Sequence, residues 1–288
     1  MRDFISDLLF WLEKNLEQPL SIEIIEKRAG YSRWHLQRIF REVTGIPMAT
    51  YIRRRRLCKA ATALKISSDS ILNIALRYRF NTQQSFNRRF KDHFGMAPGI
   101  WRSEETWDFS KLAPPIKMTK PDSPAPKLRE MEPCEIAVKT YERMLSLEAL
   151  DNPDTMTALE LTTLSAFIND TPLSEDKLFI FTNYFHVKHP GEFGVTYEFS
   201  TGNCHSVFKP NGNKLIIKKI KKGKYLSFHW QGTLSDHSRF VENIYHYALP
   251  QTSHCRRHES DINIISTHGA TNIDNETILS GEYLIPVI

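Results

Sequence analysis

The first hundred residues of the chain contain a repeat with a period of 50 residues. Displacing the sequence by that interval aligns capping, apolar, basic and glycine positions, in the pairs Ser32/Thr82, Leu36/Phe86, Arg38/Arg88, Phe40/Phe90, Gly45/Gly95 and Tyr51/Trp101. Each copy has the pattern of a short helix, a tight turn and a second helix, because apolar residues recur at helical spacing behind a capping residue. Two such units constrain the fold more than any other feature of the chain.

Helical periodicity predicts seven helices and no strand in residues 1–103. The predicted helices cover about 5–17, 21–29, 32–43, 48–64, 70–78, 82–94 and 98–102. The fourth helix is the longest, and it joins the two copies. The prediction is an all-α N-terminal domain over 1–103, with two helix-turn-helix motifs connected by a long helix.

The pattern changes after residue 103. Five prolines between positions 114 and 126 predict a Pro-rich linker over 104–127. The remainder favours strands at 134–141, 178–187, 193–199, 214–220, 225–230, 262–266 and 282–287, a turn at Asn211-Gly212, and helices near 155–168 and 235–248. The chain is therefore predicted to be multidomain, with an α+β domain over 128–288.

The net charge differs in sign between the two halves. Residues 1–103 hold 19 Lys and Arg against 9 Asp and Glu, whereas 104–288 hold 19 against 24. A basic half favours a polyanion partner, with uneven surface charge as the alternative. No apolar run reaches the roughly 20 residues of a membrane span, and the N-terminus lacks a signal-peptide pattern. The four cysteines form no Cys-x-x-Cys pair. We therefore expect a cytoplasmic protein.

The second helix of each copy is predicted to read DNA bases. Its candidate base-reading residues are Trp34, Gln37 and Arg38 in the first copy and Gln83, Gln84 and Arg88 in the second. These residues lie opposite the apolar face, as a recognition helix requires. Arginine can pair with guanine through two hydrogen bonds, and glutamine can pair with adenine. The alternative for the arginines and glutamines is a solvated surface side chain, and the alternative for Trp34 is a position in the core.

Other residues are predicted to contact the DNA backbone. Ser32 and Thr82 begin the two recognition helices, where free N–H groups can bind phosphates. The run Arg53–Arg56 is assigned non-specific affinity, with Arg55 as its candidate phosphate contact. Because successive helix residues point about 100° apart, at most two of the four can face one phosphate backbone, and the others are solvated or paired with acids.

Residues 5–102 resemble the DNA-binding domain of the AraC/XylS family of bacterial transcription regulators. The segment Gly95-x-x-Pro98-x-x-Trp101-Arg102 matches the closing motif of the family, with tryptophan where tyrosine is usual. Trp34-His35-Leu36-Gln37-Arg38 and Arg77-Tyr78-Arg79-Phe80-x-x-Gln83-Gln84 resemble the MarA/SoxS/Rob subgroup, although most family members have glycine at the position of Arg79. The resemblance implies that the six base-reading residues contact bases, and that a monomer occupies successive major grooves of an asymmetric site.

The order of the domains resembles the Rob type, in which a gyrase-inhibitor-like domain follows the DNA-binding domain. Gly281–Val287, Gly223-Lys224-Tyr225 and Trp230-Gln231-Gly232 resemble segments of such domains. The resemblance implies a site for a hydrophobic or cationic small molecule, with Glu282 as its acid and Trp230, Tyr197 and Tyr225 as aromatic lining. The alternative is that the aromatic residues fill the core and Glu282 lies on an exposed face.

The predicted function is sequence-specific transcription activation of the Rob type, with recruitment of RNA polymerase and a C-terminal domain that senses a small molecule or partner. The subgroup implies a stress or antibiotic-resistance response. The sequence contains no catalytic motif and no histidine–cysteine cluster at zinc spacing, so we predict neither an enzyme nor a cofactor. Two alternatives remain: an abundant, weakly specific DNA-binding protein with a structural second domain, and a DNA-tethered small-molecule hydrolase.

Overall fold

The computed structural model describes residues 2–118, 125–151, 153–170, 177–189, 191–201, 216–273 and 276–288. Over these residues the chain forms two compact units. The N-terminal unit lies within Met1–Glu104 and Ser110–Asp122, and the C-terminal unit lies within Glu105–Phe109 and Ser123–Ile288. The fold class is confirmed, because a helical double helix-turn-helix unit precedes a unit built on an antiparallel sheet.

The described part of the N-terminal unit has the seven predicted helices. They are α1 (Arg2–Lys14), α2 (Ile22–Ala29), α3 (Arg33–Thr44), α4 (Met48–Ile66), α5 (Ile71–Arg77), α6 (Gln83–Phe94) and α7 (Pro98–Ser103). The first helix-turn-helix motif is α2–α3 and the second is α5–α6. Helix α4 connects them, so α3 and α6 are the two recognition helices.

The ends of these helices follow from local chemistry. The Ser70 and Thr82 side chains accept hydrogen bonds from the backbone N–H groups three residues further on, at 3.0 and 3.1 Å. Ser32 has the extended backbone of an N-cap residue, but its hydroxyl makes no capping hydrogen bond. Gly45 and Gly95 end α3 and α6 with φ at 78°, a left-handed conformation that favours glycine.

The apolar faces that were predicted from the repeat form the cores of the two motifs. Leu36, Ile39 and Phe40 of α3 are buried together with residues of α1. In the second motif Phe86, Phe90 and Phe94 pack ring against ring, and Trp101 contacts the last two. Trp101 Nε1 also donates to the Ala61 carbonyl oxygen at 3.0 Å, which joins α7 to α4. Each recognition helix is thereby held by its inner face.

The predicted linker, 104–127, contains regular structure in its described part. Strand β1 (Thr106–Trp107) and a 3-10 turn (Phe109–Lys111) precede the prolines. Further on, Ile116 and Met118 pack on the apolar core of the first motif. Proline removes only its own N–H group, so it does not stop neighbouring residues from packing or pairing. Pro121 and Pro124 lie outside the described residues.

The C-terminal unit contains the remaining nine strands and two further helices of the described residues. The strands are β2 (Lys127–Met131), β3 (Cys134–Ser146), β4 (Lys177–Phe185), β5 (Glu192–Thr201), β6 (Ile216–Ile220), β7 (Gly223–Gly232), β8 (Arg256–Arg257), β9 (Asp261–Ile273) and β10 (Glu276–Val287). The helices are α8 (Pro153–Asp170) and α9 (Leu234–Asn243), the latter continued by a π turn (Ile244–Ala248). Five of the seven predicted strand segments lie wholly in strands, the segment 178–187 extends two residues past β4, and residues 214–215 of the segment 214–220 lie outside the described residues. Strands β1, β2 and β8 were not predicted, and Asn211-Gly212 also lies outside the described residues.

The strands form an antiparallel sheet in the order β1-β8-β10-β9-β4-β5-β3-β6, with β7 paired to β10 and β2 paired to β7. Helices α8 and α9 cover one face, where Phe167 stacks on Phe199 and His237 lies 4.6 Å from the Trp230 ring centre. The opposite face carries an apolar cluster that includes Phe181 and Leu284. We call these the helix-covered face and the open face.

No helix among the described residues combines the length and the apolarity that crossing a membrane requires.

Candidate nucleic-acid interface and candidate small-molecule site

The recognition helices present the six candidate base-reading side chains to solvent. All six are exposed: Trp34, Gln37, Arg38, Gln83, Gln84 and Arg88. Trp34 is 71% exposed, which is unusual for a tryptophan and excludes a core role. Behind these side chains, the leucine and phenylalanines of the repeat are fully buried. The arrangement leaves one face of each helix free to enter a groove of DNA.

Arg38 is held in position on the surface of α3. Its Nη1 lies 2.9 Å from Glu42 Oε1, one helical turn further on. Its guanidinium also lies over the Trp34 ring, 5.2 Å from the ring centre. In the free protein both partners therefore hold the Arg38 side chain against the surface of α3.

A cleft of about 1020 Å³ lies between the two helix-turn-helix motifs. Six arginines line it: Arg38, Arg41, Arg53, Arg56, Arg79 and Arg89. They come from both recognition helices, from α4 and from the turn of the second motif. Glu42 is the acid in the lining, so the cleft is strongly basic and suits a polyanion.

The two predicted phosphate contacts at the helix starts differ. The Thr82 hydroxyl already accepts the Ser85 N–H, whereas the Ser32 hydroxyl makes no capping bond to α3. Both residues are exposed at the start of their recognition helices. The Ser32 hydroxyl therefore keeps its hydrogen-bonding capacity for an external acceptor.

The assignment of Arg55 to the DNA backbone is wrong. Its side chain is only 4% exposed and forms a two-point ion pair with Glu13, with Nε–Oε1 and Nη2–Oε2 at 2.8 and 3.0 Å. Its Nη1 donates to the Ala113 carbonyl oxygen. A guanidinium that is enclosed in this way is not available to a phosphate. Within the run, Arg53 and Arg54 are the exposed members, and only Arg53 of those two lines the cleft.

The four residues that were predicted to form the small-molecule site lie on two faces of the sheet. Opposed residues of paired strands share a face, and Trp230 is opposite Gly281, which is next to Glu282. Successive strand residues point to opposite faces, so Trp230 and Glu282 are separated by the sheet. The pairings place Tyr197 on the helix-covered face with Trp230, and Tyr225 on the open face with Glu282. The prediction that Trp230 and Tyr197 line a site around Glu282 is therefore wrong, whereas Tyr225 does share the face of Glu282.

Glu282 is occupied by contacts within the protein. It accepts hydrogen bonds from Ser227 and from Arg129, with which it also forms an ion pair. Burial raises the pKa of its carboxyl, but these two hydrogen bonds and the arginine charge outweigh burial and hold the pKa below its usual range. The carboxylate is already neutralised, so it offers little to a cationic ligand.

The helix-covered face holds a connected polar network. Trp230 Nε1 donates to Asn263 Oδ1 at 3.1 Å, and Asn263 Nδ2 lies 3.0 Å from His237 Nε2. Because the asparagine oxygen receives the indole N–H, its nitrogen must donate to Nε2, and the neutral histidine then carries its hydrogen on Nδ1. His237 Nδ1 is buried without a hydrogen-bond partner and lies 3.7 Å from Glu160 Oε2.

A buried acid, Asp261, also lies on the helix-covered face, and partners within the protein satisfy the hydrogen-bonding capacity of its carboxylate. Asp261 is 1% exposed and pairs with Arg256 at 2.9 Å. The Tyr283 and Tyr245 hydroxyls both donate to its other oxygen. Burial, and next the Asp261 charge, raise the pKa of both tyrosines. Arg256 cancels the charge of Asp261, so this acid stabilises the fold and is not free for a ligand.

Glu160 also lies on the helix-covered face, with its Oε2 3.7 Å from His237 Nδ1. Burial raises the pKa of Tyr197, and the charge of Glu160 is the next cause. The Tyr141 hydroxyl, on the residue opposite Tyr197, is also buried without a partner. Glu160 and His237 therefore lie side by side on the helix-covered face, and Tyr141 carries a buried, unpartnered hydroxyl on the same face.

Sequence reasoning missed Glu160, although a signal was present. Thr163, Leu164 and Phe167 form the buried stripe of α8, and Glu160 lies on that stripe at the preceding helical positions. A charged residue on a buried stripe is rare unless it has a partner or a role. Among the described residues, no group of three or more His, Cys, Asp or Glu side chains could hold a metal ion.

Comparison with known proteins gives two domain matches along the chain. The family described as a helix-turn-helix domain matches residues 25–104, and the GyrI-like small molecule binding domain matches 150–288. The right origin-binding protein of Escherichia coli K12 is 31% identical in an alignment 296 residues long, which covers 98% of this chain and 97% of that protein. The transcriptional regulator Rob of Salmonella typhimurium is 30% identical over 285 residues, with the same coverage.

A shorter relative matches only the N-terminal part. The multiple antibiotic resistance protein MarA of Escherichia coli K12 is 42% identical over 112 residues, which cover 39% of this chain and 88% of that protein. Identity is thus higher to the relative that aligns with little beyond the helix-turn-helix unit. The two domain matches follow the order that the sequence predicted.

Proposed function

Because the chain belongs to the Rob group of AraC-type transcription regulators and carries a GyrI-like small-molecule-binding domain, we propose that it activates transcription at asymmetric promoter sites. It binds as a monomer, with α3 and α6 in successive major grooves. Bound in this way, it recruits RNA polymerase and is associated with the nucleoid. The proposed setting is a stress or antibiotic-resistance response, in line with the name of the shorter relative.

The observation that carries this proposal is the pair of unlike recognition faces on one chain. Arg38 and Arg88 occupy matching positions, but Trp34 in the first copy is replaced by Gln84 in the second. Two identical motifs related by two-fold symmetry would favour a palindrome. Two different faces, connected by α4 beside one basic cleft, favour a site with two unlike elements.

The proposed division of labour separates base reading from backbone binding. Arg38 and Arg88 supply bidentate contacts to guanine, and Gln83 and Gln84 supply contacts to adenine. Trp34 packs on thymine methyl groups or sugars. Ser32, Thr82 and Arg53 bind phosphates, which positions the protein without reading sequence.

The test begins with selection of a preferred duplex from a randomised pool of about 30 base pairs, which is roughly three helical turns. On that duplex, Arg38→Ala and Arg88→Ala are each expected to weaken binding by about 1–3 kcal/mol. Each variant should also tolerate base changes in one element only. Arg53→Ala should weaken all sequences alike and lower the salt slope by about 1.

Arg54→Ala is the matched control, because Arg54 is exposed on the same helix and is absent from the cleft lining. It should change neither the specificity nor the salt slope appreciably. Equal losses on every sequence for Arg38→Ala and Arg88→Ala would refute direct base reading. That result would favour a weakly specific DNA-binding protein instead.

We further propose that the C-terminal unit binds an amphipathic cation on the helix-covered face. Glu160 supplies the charge, His237 and Tyr141 supply polar contacts, and Trp230 and Tyr197 supply aromatic surface. Titration of the whole chain with tetraphenylphosphonium, followed by tryptophan fluorescence, tests this assignment. Glu160→Gln should weaken binding about tenfold or more, whereas Glu282→Gln should leave it unchanged. Equal affinity of wild type and Glu160→Gln would overturn the assignment.

A further inference from the structure

The turn of the second helix-turn-helix motif contacts the segment between α1 and α2, which leads into the first motif. Arg77 Nε lies 2.7 Å from Glu17 Oε1, a charged pair that is about four-fifths buried on both sides. Arg79 Nε donates to the Glu17 carbonyl oxygen at 2.5 Å. One residue next to the first motif is therefore held by two arginines of the second.

Helix α4 reinforces the same junction. Arg56 Nε donates to the Leu16 carbonyl oxygen and Arg56 Nη2 donates to the Gln18 carbonyl oxygen, each at 2.8 Å. Burial, and next the charge of Arg79, lower the pKa of Arg56, so the two guanidinium groups lie near each other. Like charges repel, and these two remain together because each is fixed on a carbonyl group.

The backbone of Arg79 also departs from the ordinary. Its φ is 65°, and it is the one residue other than glycine with a positive φ in the described part of the chain. A long side chain rarely adopts this left-handed conformation, which persists only where surrounding contacts enforce it. The side chain at this strained position is the one that bridges the two motifs.

We propose that Arg77, Arg79 and Glu17 form a clamp that fixes the spacing and the relative rotation of α3 and α6. The clamp thereby sets the distance between DNA elements that the protein accepts. This inference rests on the proposed reading of two successive grooves. One inserted base pair moves the second element by about 3.4 Å and rotates it by about 34–36°. Two rigidly joined helices can match only one such spacing.

The experiment compares three duplexes that carry the selected site with its native spacing, with one base pair inserted, and with one removed. Wild type is expected to bind the altered spacings about tenfold or more weakly. Arg79→Gly removes the Arg79 hydrogen bond of the clamp, keeps the Arg77–Glu17 pair and relieves the positive φ, so it should remain folded. Arg79→Lys keeps the charge and the strained backbone but lacks the guanidinium Nε donor. In both variants the spacing penalty should fall to about threefold or less.

Arg89→Lys is the matched control, because Arg89 lines the same cleft but is not part of the clamp. It should keep the full spacing penalty. Glu17→Ala should reduce the penalty partly, because it removes the partner of Arg77 and leaves the carbonyl group that Arg79 uses. Thermal unfolding of each full-length variant establishes that the comparison concerns folded protein.

Three results would overturn the clamp. One is a full spacing penalty in Arg79→Lys and Arg79→Gly. Another is that Arg79→Gly loses DNA affinity equally at all three spacings and has a lower salt slope, while Arg79→Lys restores the slope. That result would make Arg79 a phosphate contact. The third is a wild type that ignores spacing although base changes in both elements weaken it. If base changes in the second element have no effect, the two-groove reading itself fails.

Discussion

Arg55 offers a quantitative test of how the basic run is divided. Arg55→Met keeps most of the side-chain volume but leaves the Glu13 carboxylate, which is 17% exposed, without its two-point partner. Loss of one partner of a buried pair costs about 3–5 kcal/mol. Glu13 keeps the Tyr51 hydroxyl at 2.6 Å and some contact with water, so we expect the lower end, about 3 kcal/mol.

The assay is urea unfolding of the full-length protein, followed by circular dichroism of its helices. Glu13→Gln alone should also lower the free energy of unfolding. The double variant Arg55→Met/Glu13→Gln should lose less than the sum of the two single losses, because Glu13→Gln removes the charge that Arg55→Met leaves unpaired. Arg54→Gln, on the same helix and exposed, is the control and should change the free energy of unfolding by less than about 0.5 kcal/mol.

The pH dependence of the free energy of unfolding also tests the buried role of Arg55. Burial raises the pKa of Glu13, but the charge and hydrogen bonds of Arg55 outweigh burial and hold that pKa below its ordinary value of 4.5. A lowered pKa means that the pair stabilises the protein above about pH 4.5 and that this stability is lost as the pH falls through the folded-state pKa. Arg55→Met should remove this acid sensitivity. A loss below about 1 kcal/mol, together with a salt slope lowered as much as in Arg53→Ala, would refute the buried role.

Four other changes have defined outcomes. Thr82→Ala should lower the free energy of unfolding by about 1 kcal/mol, and Ser32→Ala should lower it clearly less, because only the threonine makes a capping hydrogen bond. Thermal denaturation of both variants checks this. Trp230→Phe should cost about 1–3 kcal/mol in urea unfolding, because the Asn263 oxygen loses its donor in a buried site. Glu42→Gln should raise affinity for random-sequence DNA more than for the selected site, as measured by fluorescence anisotropy of labelled duplexes.

The N-terminal unit could be predicted from the sequence because its information is local. Capping residues such as Ser70 and Thr82 act on N–H groups three residues away, and Phe86, Phe90 and Phe94 recur at helical spacing. Each of these signals lies within one or two helical turns. Helix bounds and buried faces therefore follow without knowledge of the tertiary contacts.

The division of the arginine run could be anticipated only in part. Helical geometry predicts that four successive arginines point in different directions, and that some pair with acids. It does not identify which arginine is buried, because the partners of Arg55 are Glu13, which is 42 residues away, and Ala113, which is 58 residues away. Contacts at that separation depend on how the helices pack, and the packing of helices cannot be predicted from the local sequence pattern.

The candidate small-molecule site failed for a different reason. Strand alternation gives a period of two, but it does not say which residue of a neighbouring strand lies opposite. The pairing of Gly281 with Trp230 puts Glu282 on the other face, and a shift of one residue would have put them together. Glu160 comes from a helix whose face toward the sheet becomes visible only after the strands are aligned. The resemblance indicates the kind of site, whereas the strand register and the helix packing decide which residues share a face.

Glu42 shows why an acid in a DNA-reading surface contributes to specificity. In the free protein it holds Arg38 at 2.9 Å, so binding to any DNA must break a charge-assisted hydrogen bond and bring a carboxylate near phosphates. In the proposed reading, Arg38 gains two hydrogen bonds at a correct guanine for the one it loses. At a wrong base it loses one and gains no matching pair. The acid therefore lowers affinity everywhere but lowers it most on incorrect sequences, which increases the ratio between specific and non-specific binding.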